Sequence, residues 1–273
     1  TFNMWSIGHI NNKSIYFITL ERATNQQDQI QLGRPQEKYP YWLAEIYYDD
    51  EQAGQLLSTA LIREAKRQTS NLTPQILAFS GDYSYISEQR LAGLNISAQR
   101  SKIEINQVIY TLWKEDIAQL KATLAIRNYP NTNIIWSASD QIALAIASRL
   151  QQIAPQGKWI IGGINAVPSA INAIQNNLLT ATIGGHFMQA AWAMLIIYDH
   201  SQGVHTNNKQ FNMPLKHQLI TQENAIRYSK IDQMKRWQQV NFKQFSLLEN
   251  PQHSYYQFDM ERLVGELQQH KWS

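Results

Sequence analysis

Short runs of β-branched and aromatic residues recur along the chain. Each is followed by a longer stretch whose apolar positions return every three to four residues. The first run, residues 14–20 (SIYFITL), ends in polar Glu21-Arg22. A long loop is expected from there to Asp49-Asp50, which open a helix over 51–68. In that helix Ala53, Leu56, Leu57, Ala60, Leu61 and Ala65 keep the helical period, and the acidic residues suit its positive start. Strands are then predicted over 75–80, 104–112, 133–137, 158–164 and 180–183. Helices over 84–98, 114–126, 141–150, 168–177 and 187–199 alternate with them. Asp140 stands where it would cap one of these helices, and Pro168 falls in the first turn of another. A strand spacing of about 25–30 residues is the length of a right-handed βαβ unit. Strands that read as continuous apolar runs belong to parallel sheets covered on both faces, so the pattern predicts the α/β class. After Gly203 the pattern changes. Residues 211–221 read as one more extended strand, and from Asn224 onward the chain reads as helical and polar. Ile231, Met234, Trp237, Leu263, Val264 and Leu267 are its anchors, in a wrap-around extension rather than a further domain.

Composition narrows the function classes. A chain of 273 residues suffices for one large domain or two lobes, and eight Trp with thirteen Tyr require a core. Only 16% of residues are charged, and the net charge of +3 is spread without a Lys/Arg block, which argues against a nucleic-acid partner. The absence of Cys removes disulfides, thiolate zinc sites and Cys nucleophiles, and suits an oxidising compartment. The longest apolar run, residues 190–198, is too short to span a membrane, so no direct insertion is expected. No signal peptide is read at the start of the chain. No phosphate-binding glycine loop, nucleophile elbow or paired-histidine zinc motif is present. The expectation is binding rather than catalysis, with no cofactor and no metal.

Ligands of open parallel sheets sit beyond the carboxyl ends of the strands. The residues there are Glu21-Arg22, Gly81-Asp82-Tyr83, Leu112-Trp113, Ser139-Asp140, Asn165 and Gly184-Gly185-His186. An Arg, carboxylates, an amide and a Trp suit a sugar-like or polyol-like ligand, whose hydroxyls take hydrogen bonds while a ring covers its C–H face. Each has a structural alternative. Arg22 fits an ion pair with Glu21 or another surface carboxylate, Asp140 a helix cap, Trp113 a core or rim filler, and His186 a capping role rather than a metal ligand. His200 and His205 read as solvated loop residues.

Residues 133–150 (NIIWSASDQIALAIASRL) and 160–183 (IIGGINAVPSAINAIQNNLLTATI) resemble type I periplasmic solute-binding proteins. These share their fold with the ligand domains of lactose-repressor-like regulators. A sugar-binding-like subgroup is most similar, through Gly33-Arg34-Pro35, Glu37-Lys38-Tyr39 and Trp42, then Gly184-Gly185-His186-Phe187, Ala191-Trp192-Ala193 and Tyr198-Asp199. Asn241-Phe242-Lys243-Gln244-Phe245-Ser246 and Asn250-Pro251 extend the likeness into the tail. The resemblance implies that Glu21 and Arg22 clamp ligand hydroxyls, that Trp113 lies near a pocket aromatic, and that His186 lines the cleft at the hinge. Ser139-Asp140 stands where the family has Asn-Asp, and Gly163-Ile164-Asn165 where it has Gly-x-Asp. An acidic acceptor is thereby replaced by an amide, which a simple aldose site would miss.

The implied architecture is two lobes, each a parallel sheet flanked by helices, joined by a hinge. The first would hold residues 1–49 and 186–214, the second 50–185 and 215–222, with 223–273 as a C-terminal helical extension. The implied function is an extracytoplasmic, periplasmic binding protein, exported by a signal peptide in its precursor. It would capture a carbohydrate-like molecule between its lobes and present it to the membrane permease of an ABC transporter. Presentation to a sensor kinase or chemoreceptor is the alternative, ahead of a cytosolic enzyme on a doubly wound sheet. A transcription regulator would need a DNA-binding helix pair that residues 1–13 do not suggest. Family members carry further βα units ahead of the strand at 14–20, so the chain is expected to be a fragment or a separately processed piece, its first lobe incomplete.

Overall fold

The computed structural model describes residues 4–68, 73–204, 212–229, 237–238 and 240–269. The chain divides into two compact units. One comprises Thr1–Asp49, Gly185–Lys216 and Gln233–Ser273, the other Asp50–Gly184 and His217–Asp232. The α/β class is as expected, and each unit carries a sheet with helices.

The first unit opens with helix α1 (Met4–Asn12), then β1 (Phe17–Glu21), α2 (Gln26–Leu32) and β2 (Trp42–Tyr48). Neither α2 nor β2 was expected between the first strand and Asp49. The start of α2 is set by a capping box, in which Asn25 accepts from the Asp28 N–H at 2.8 Å and Asp28 accepts from the Asn25 N–H at 3.2 Å. β2 is buried along nearly its whole length, its only acid, Glu45, taking the Thr24 N–H and hydroxyl. Burial pushes the Glu45 carboxyl up, against those bonds.

In the second unit α3 (Asp50–Gln68), β3 (Gln75–Ser80), α4 (Tyr85–Ser101) and β4 (Glu104–Tyr110) lead to α5 (Glu115–Asn128) and β5 (Ile134–Ser137). There follow α6 (Asp140–Ile153), β6 (Ile160–Ile164), α7 (Pro168–Gln175) and β7 (Ala181–Gly184). α8 (Gln189–Ser201) returns to the first unit. The stretch expected as one strand over 211–221 is two, β8 (Asn212–Leu215) and β9 (Gln218–Thr221), and Phe211 lies outside the described residues. β8 completes a parallel sheet β1-β2-β8 in the first unit, whereas β9 pairs antiparallel with β7 at the edge of β4-β3-β5-β6-β7-β9. The break at Lys216-His217 is therefore a passage of the chain between units.

One core of the second unit lies between its sheet and α3 and α4, with Leu57, Leu61, Leu94, Ile134, Trp136 and Ile183 at 0% exposure, and Leu77, Phe79, Ile142 and Ile146 are buried outside it. Beyond α9 (Ala225–Tyr228) the described tail residues include a 3-10 turn, Phe242–Phe245, and end in α10 (Met260–Gln269). Residues 246–259, expected to be helical, run as turns and irregular chain. Val240, Phe245, Leu247, Tyr256, Phe258, Leu263 and Leu267 join Leu43, Ile46, Trp192 and Leu195 in the first unit's core. Ile231 and Met234, expected anchors, lie outside the described residues, as does His205.

Candidate functional site

At the carboxyl edge of the second unit's sheet the strand order places β4, β3, β5 and β6 side by side, so the residues that follow them form one row. Leu112 and Trp113, beyond β4, both adopt left-handed backbone, with φ of 55° and 60°. Asn165 and Ala166, beyond β6, do the same, with φ of 134° and 53°. Such residues cost about 1–3 kcal/mol each and persist where the surroundings hold them, commonly at ligand sites.

The Trp113 indole lies on Gly81, where a Cβ would stand 2.0 Å from the ring, so only glycine lets the ring down onto the end of β3. Trp113 remains 36% exposed, and neighbouring Tyr83, packed on Tyr110 with ring centroids 4.1 Å apart, is 76% exposed. Asp82 joins the two strand ends. The Ser84 hydroxyl first, then the Ser84 N–H, the Trp113 indole and the Ser87 hydroxyl, hold its carboxyl below the ordinary range, against its desolvation. An ionised acceptor thus stands beside an accessible aromatic face.

Ser139 and Asp140, adjacent in sequence, take different parts. Ser139 is the cap of α6, accepting the Ile142 N–H at 3.4 Å; Asp140, expected as that cap, is the first helical residue. Asp140 is fully buried, its oxygens bonded to the Thr182 hydroxyl at 2.7 Å and the Val167 N–H at 2.9 Å. It therefore stands behind the edge and not on it. Asn165 is half-buried at the edge, its side-chain amide nitrogen 3.5 Å from Oε1 of Gln141.

Sequence reasoning missed Arg90 of α4, which is buried and donates to Asp50 at 2.8 Å and to the Ala138 carbonyl at 2.6 Å, tying α3 and α4 to the end of β5. A charged residue on the apolar face of a predicted helix was the available signal.

In the first unit, Glu21 ends β1 exposed and left-handed, with φ of 75°. Arg22 pairs with Asp28 at 3.2 Å, not with Glu21, which holds its guanidinium at the start of α2. His186 begins a 3-10 turn after Gly185 and lies on the Tyr48 ring at 4.3 Å, past the end of β2. A Cβ on Gly185, whose φ is 124°, would stand 2.8 Å from the Tyr48 hydroxyl. Among the described residues no cluster of three or more metal-ligating side chains is present, and no helix is long and apolar enough to cross a membrane.

The family model for the periplasmic binding protein domain matches residues 7–204, nearly three quarters of the chain. The chain belongs to this family. Solved structures agree in fold. A periplasmic sugar-binding protein from Pseudomonas fluorescens superposes with a TM-score of 0.80 at 21% identity, over 94% of this chain and 76% of that one. An ABC transporter periplasmic solute-binding protein from Actinobacillus succinogenes, with bound D-allose, gives 0.68 at 16% identity, over 81% and 74%. An ABC transporter solute-binding protein from Bacillus halodurans, with bound myo-inositol, gives 0.64 at 16% identity, over 82% and 72%. No curated protein sequence matches. Like these relatives, the present periplasmic binding protein has a two-lobe α/β fold with parallel-sheet lobes flanked by helices.

Proposed function

We propose that this periplasmic binding protein captures a small neutral sugar or polyol and presents it to the permease of an ABC transporter. The observation that carries the reading is the Asp82–Trp113 pair. An ionised carboxylate accepts a ligand hydroxyl in exchange for one of its weaker internal donors while an aromatic face covers C–H groups, and its negative charge disfavours an acidic sugar. Asp82, Trp113 and Asn165 stand at the carboxyl edge of the second unit's sheet, and Glu21, Arg22 and His186 belong to the first unit. D-Allose and myo-inositol, carried by two structural relatives, are uncharged molecules of this class. The family supports a periplasmic location, and the reading assigns no catalytic step.

Isothermal titration calorimetry with D-allose, L-arabinose and myo-inositol tests it. At least one is expected to bind, with Trp113→Ala and Asp82→Asn each weakening affinity by about tenfold, as the loss of a stacking face or charge-assisted bond does. Absence of binding across the three, or undiminished affinity in both folded variants, refutes the reading. Co-purification with a permease, against a sensor kinase, decides the partner.

A further inference from the structure

Asn165 reaches the sheet edge on backbone that a side-chain-bearing residue rarely adopts, and Ala166 after it is also left-handed. Three hydrogen bonds hold this loop from behind. The Ala166 N–H donates to the Thr182 hydroxyl at 3.1 Å, that hydroxyl donates to Asp140 at 2.7 Å, and the Val167 N–H donates to the other Asp140 oxygen at 2.9 Å. Asp140 and Thr182 have no exposed surface. The carboxylate fits only because residue 163 is glycine: a Cβ there would stand 2.5 Å from its oxygen. Asp140, at the start of α6, and Thr182, on β7, thus form an internal strut beneath the strained turn bearing Asn165.

We propose that Asp140, acting through Thr182, is the positioning residue that presents Asn165 to the ligand, and that its ionised form does so, making ligand affinity fall on acidification. The inference rests on the reading of Asn165 as a ligand contact. Protonation takes one acceptor oxygen from a group that three donors depend on directly or through Thr182. Burial lifts the Asp140 carboxyl to about 6, within reach of mildly acidic surroundings. The charged group bearing on it is Arg90 of α4, itself bonded to Asp50 of α3. The elements otherwise packed on the carboxylate supply Gly163, Val167 and Thr182, none of which titrates.

Two measurements on the full chain separate this inference from the sugar reading. The first follows amide hydrogen exchange at Ala166 and Val167 without ligand, corrected for intrinsic pH dependence. Protection is expected to fall by about tenfold below pH 6, the worth of one lost bond, to be low at every pH in Thr182→Val, and to return in Thr182→Ser. Asp140→Asn is expected to flatten the pH profile, and the Thr182 pair suffices if that variant does not fold. Protection independent of pH, or unchanged in Thr182→Val, overturns the strut. The second measures calorimetric affinity for D-allose, L-arabinose and myo-inositol at neutral pH and near pH 5, with weakening expected in the wild type and none in Asn165→Ala. Binding that ignores pH overturns the inference while leaving sugar capture intact. Exchange that behaves as expected with no sugar bound upholds the strut and sinks the sugar reading.

Discussion

Asp140 puts a carboxylate where no water reaches it, and the consequence for global stability has the opposite sign from the consequence for the loop it supports. Its pKa is about 6 in the folded chain against an ordinary 3.8, so the native state binds the proton more tightly than the unfolded state. Its contribution therefore declines as pH rises from about 4 to 6, by at most about 1.4 kcal/mol per unit. Glu45 is shifted upward too, by burial, whereas Asp82 and Glu64 are shifted down and lose their contribution only at more acid pH. Urea unfolding should show a higher midpoint at pH 5 than at pH 7, with the difference reduced in Asp140→Asn; a midpoint lower at pH 5 contradicts the assignment. Arg90 raises a second question of buried charge. Arg90→Ala strands Asp50 without its ion pair and is expected to cost about 3–5 kcal/mol, read in the same titration. These two residues also mark how far the sequence can be read at this scale. Asp82, Trp113 and Asn165 were legible because strand ends can be counted from periodicity. The role of Asp140 was not, because Thr182 lies 42 residues away and nothing local announces the bond.

Among the elements, the tail after Asn224 departs furthest from its amphipathic reading. Its sequence reads as helical with apolar anchors, and Leu263 and Leu267 do join the core. Residues 246–259 nevertheless run as turns and irregular chain, with Leu247 donating its N–H to buried Asp199 of α8 at 2.7 Å. Asp199→Ala leaves that N–H without its acceptor and is expected to cost about 1–3 kcal/mol, measured by urea unfolding; an unchanged midpoint would make the contact incidental. β2 was hidden for a related reason. Its sequence WLAEIYY interrupts an apolar run with Glu45, which the distant Thr24 and the charge of Arg34 make tolerable in a buried strand. β8 and β9 merged in the sequence because a passage between units needs only two residues, Lys216 and His217. By contrast, the βα units from β3 to β7 were legible because each strand's apolar run and each helix's period survive without help from remote partners.

For the molecule as a whole, two units with two cores mean that stability is a property of each unit before it is a property of the chain. Phe258 anchors the first core, with ring centroids 4.7 Å from Phe245 and 5.9 Å from both Trp192 and Phe242. Leu57 of α3 occupies the equivalent place in the second core, at 0% exposure. Phe258→Ala and Leu57→Ala should each remove about 2–5 kcal/mol through a cavity that close-packed neighbours cannot refill. Cooperative units open separately when the contacts that tie them internally are lost. Hydrogen exchange followed by mass spectrometry should then find Phe258→Ala loosening β2 and α10 while β3 and β5 keep their protection. Leu57→Ala should do the reverse. Loss of protection in all four elements from either substitution would mean that one cooperative transition governs the chain. In that case a ligand-induced change at either sheet edge would be transmitted through the whole fold, instead of through chain passages such as Asp49-Asp50, Gly184-Gly185 and Lys216-His217.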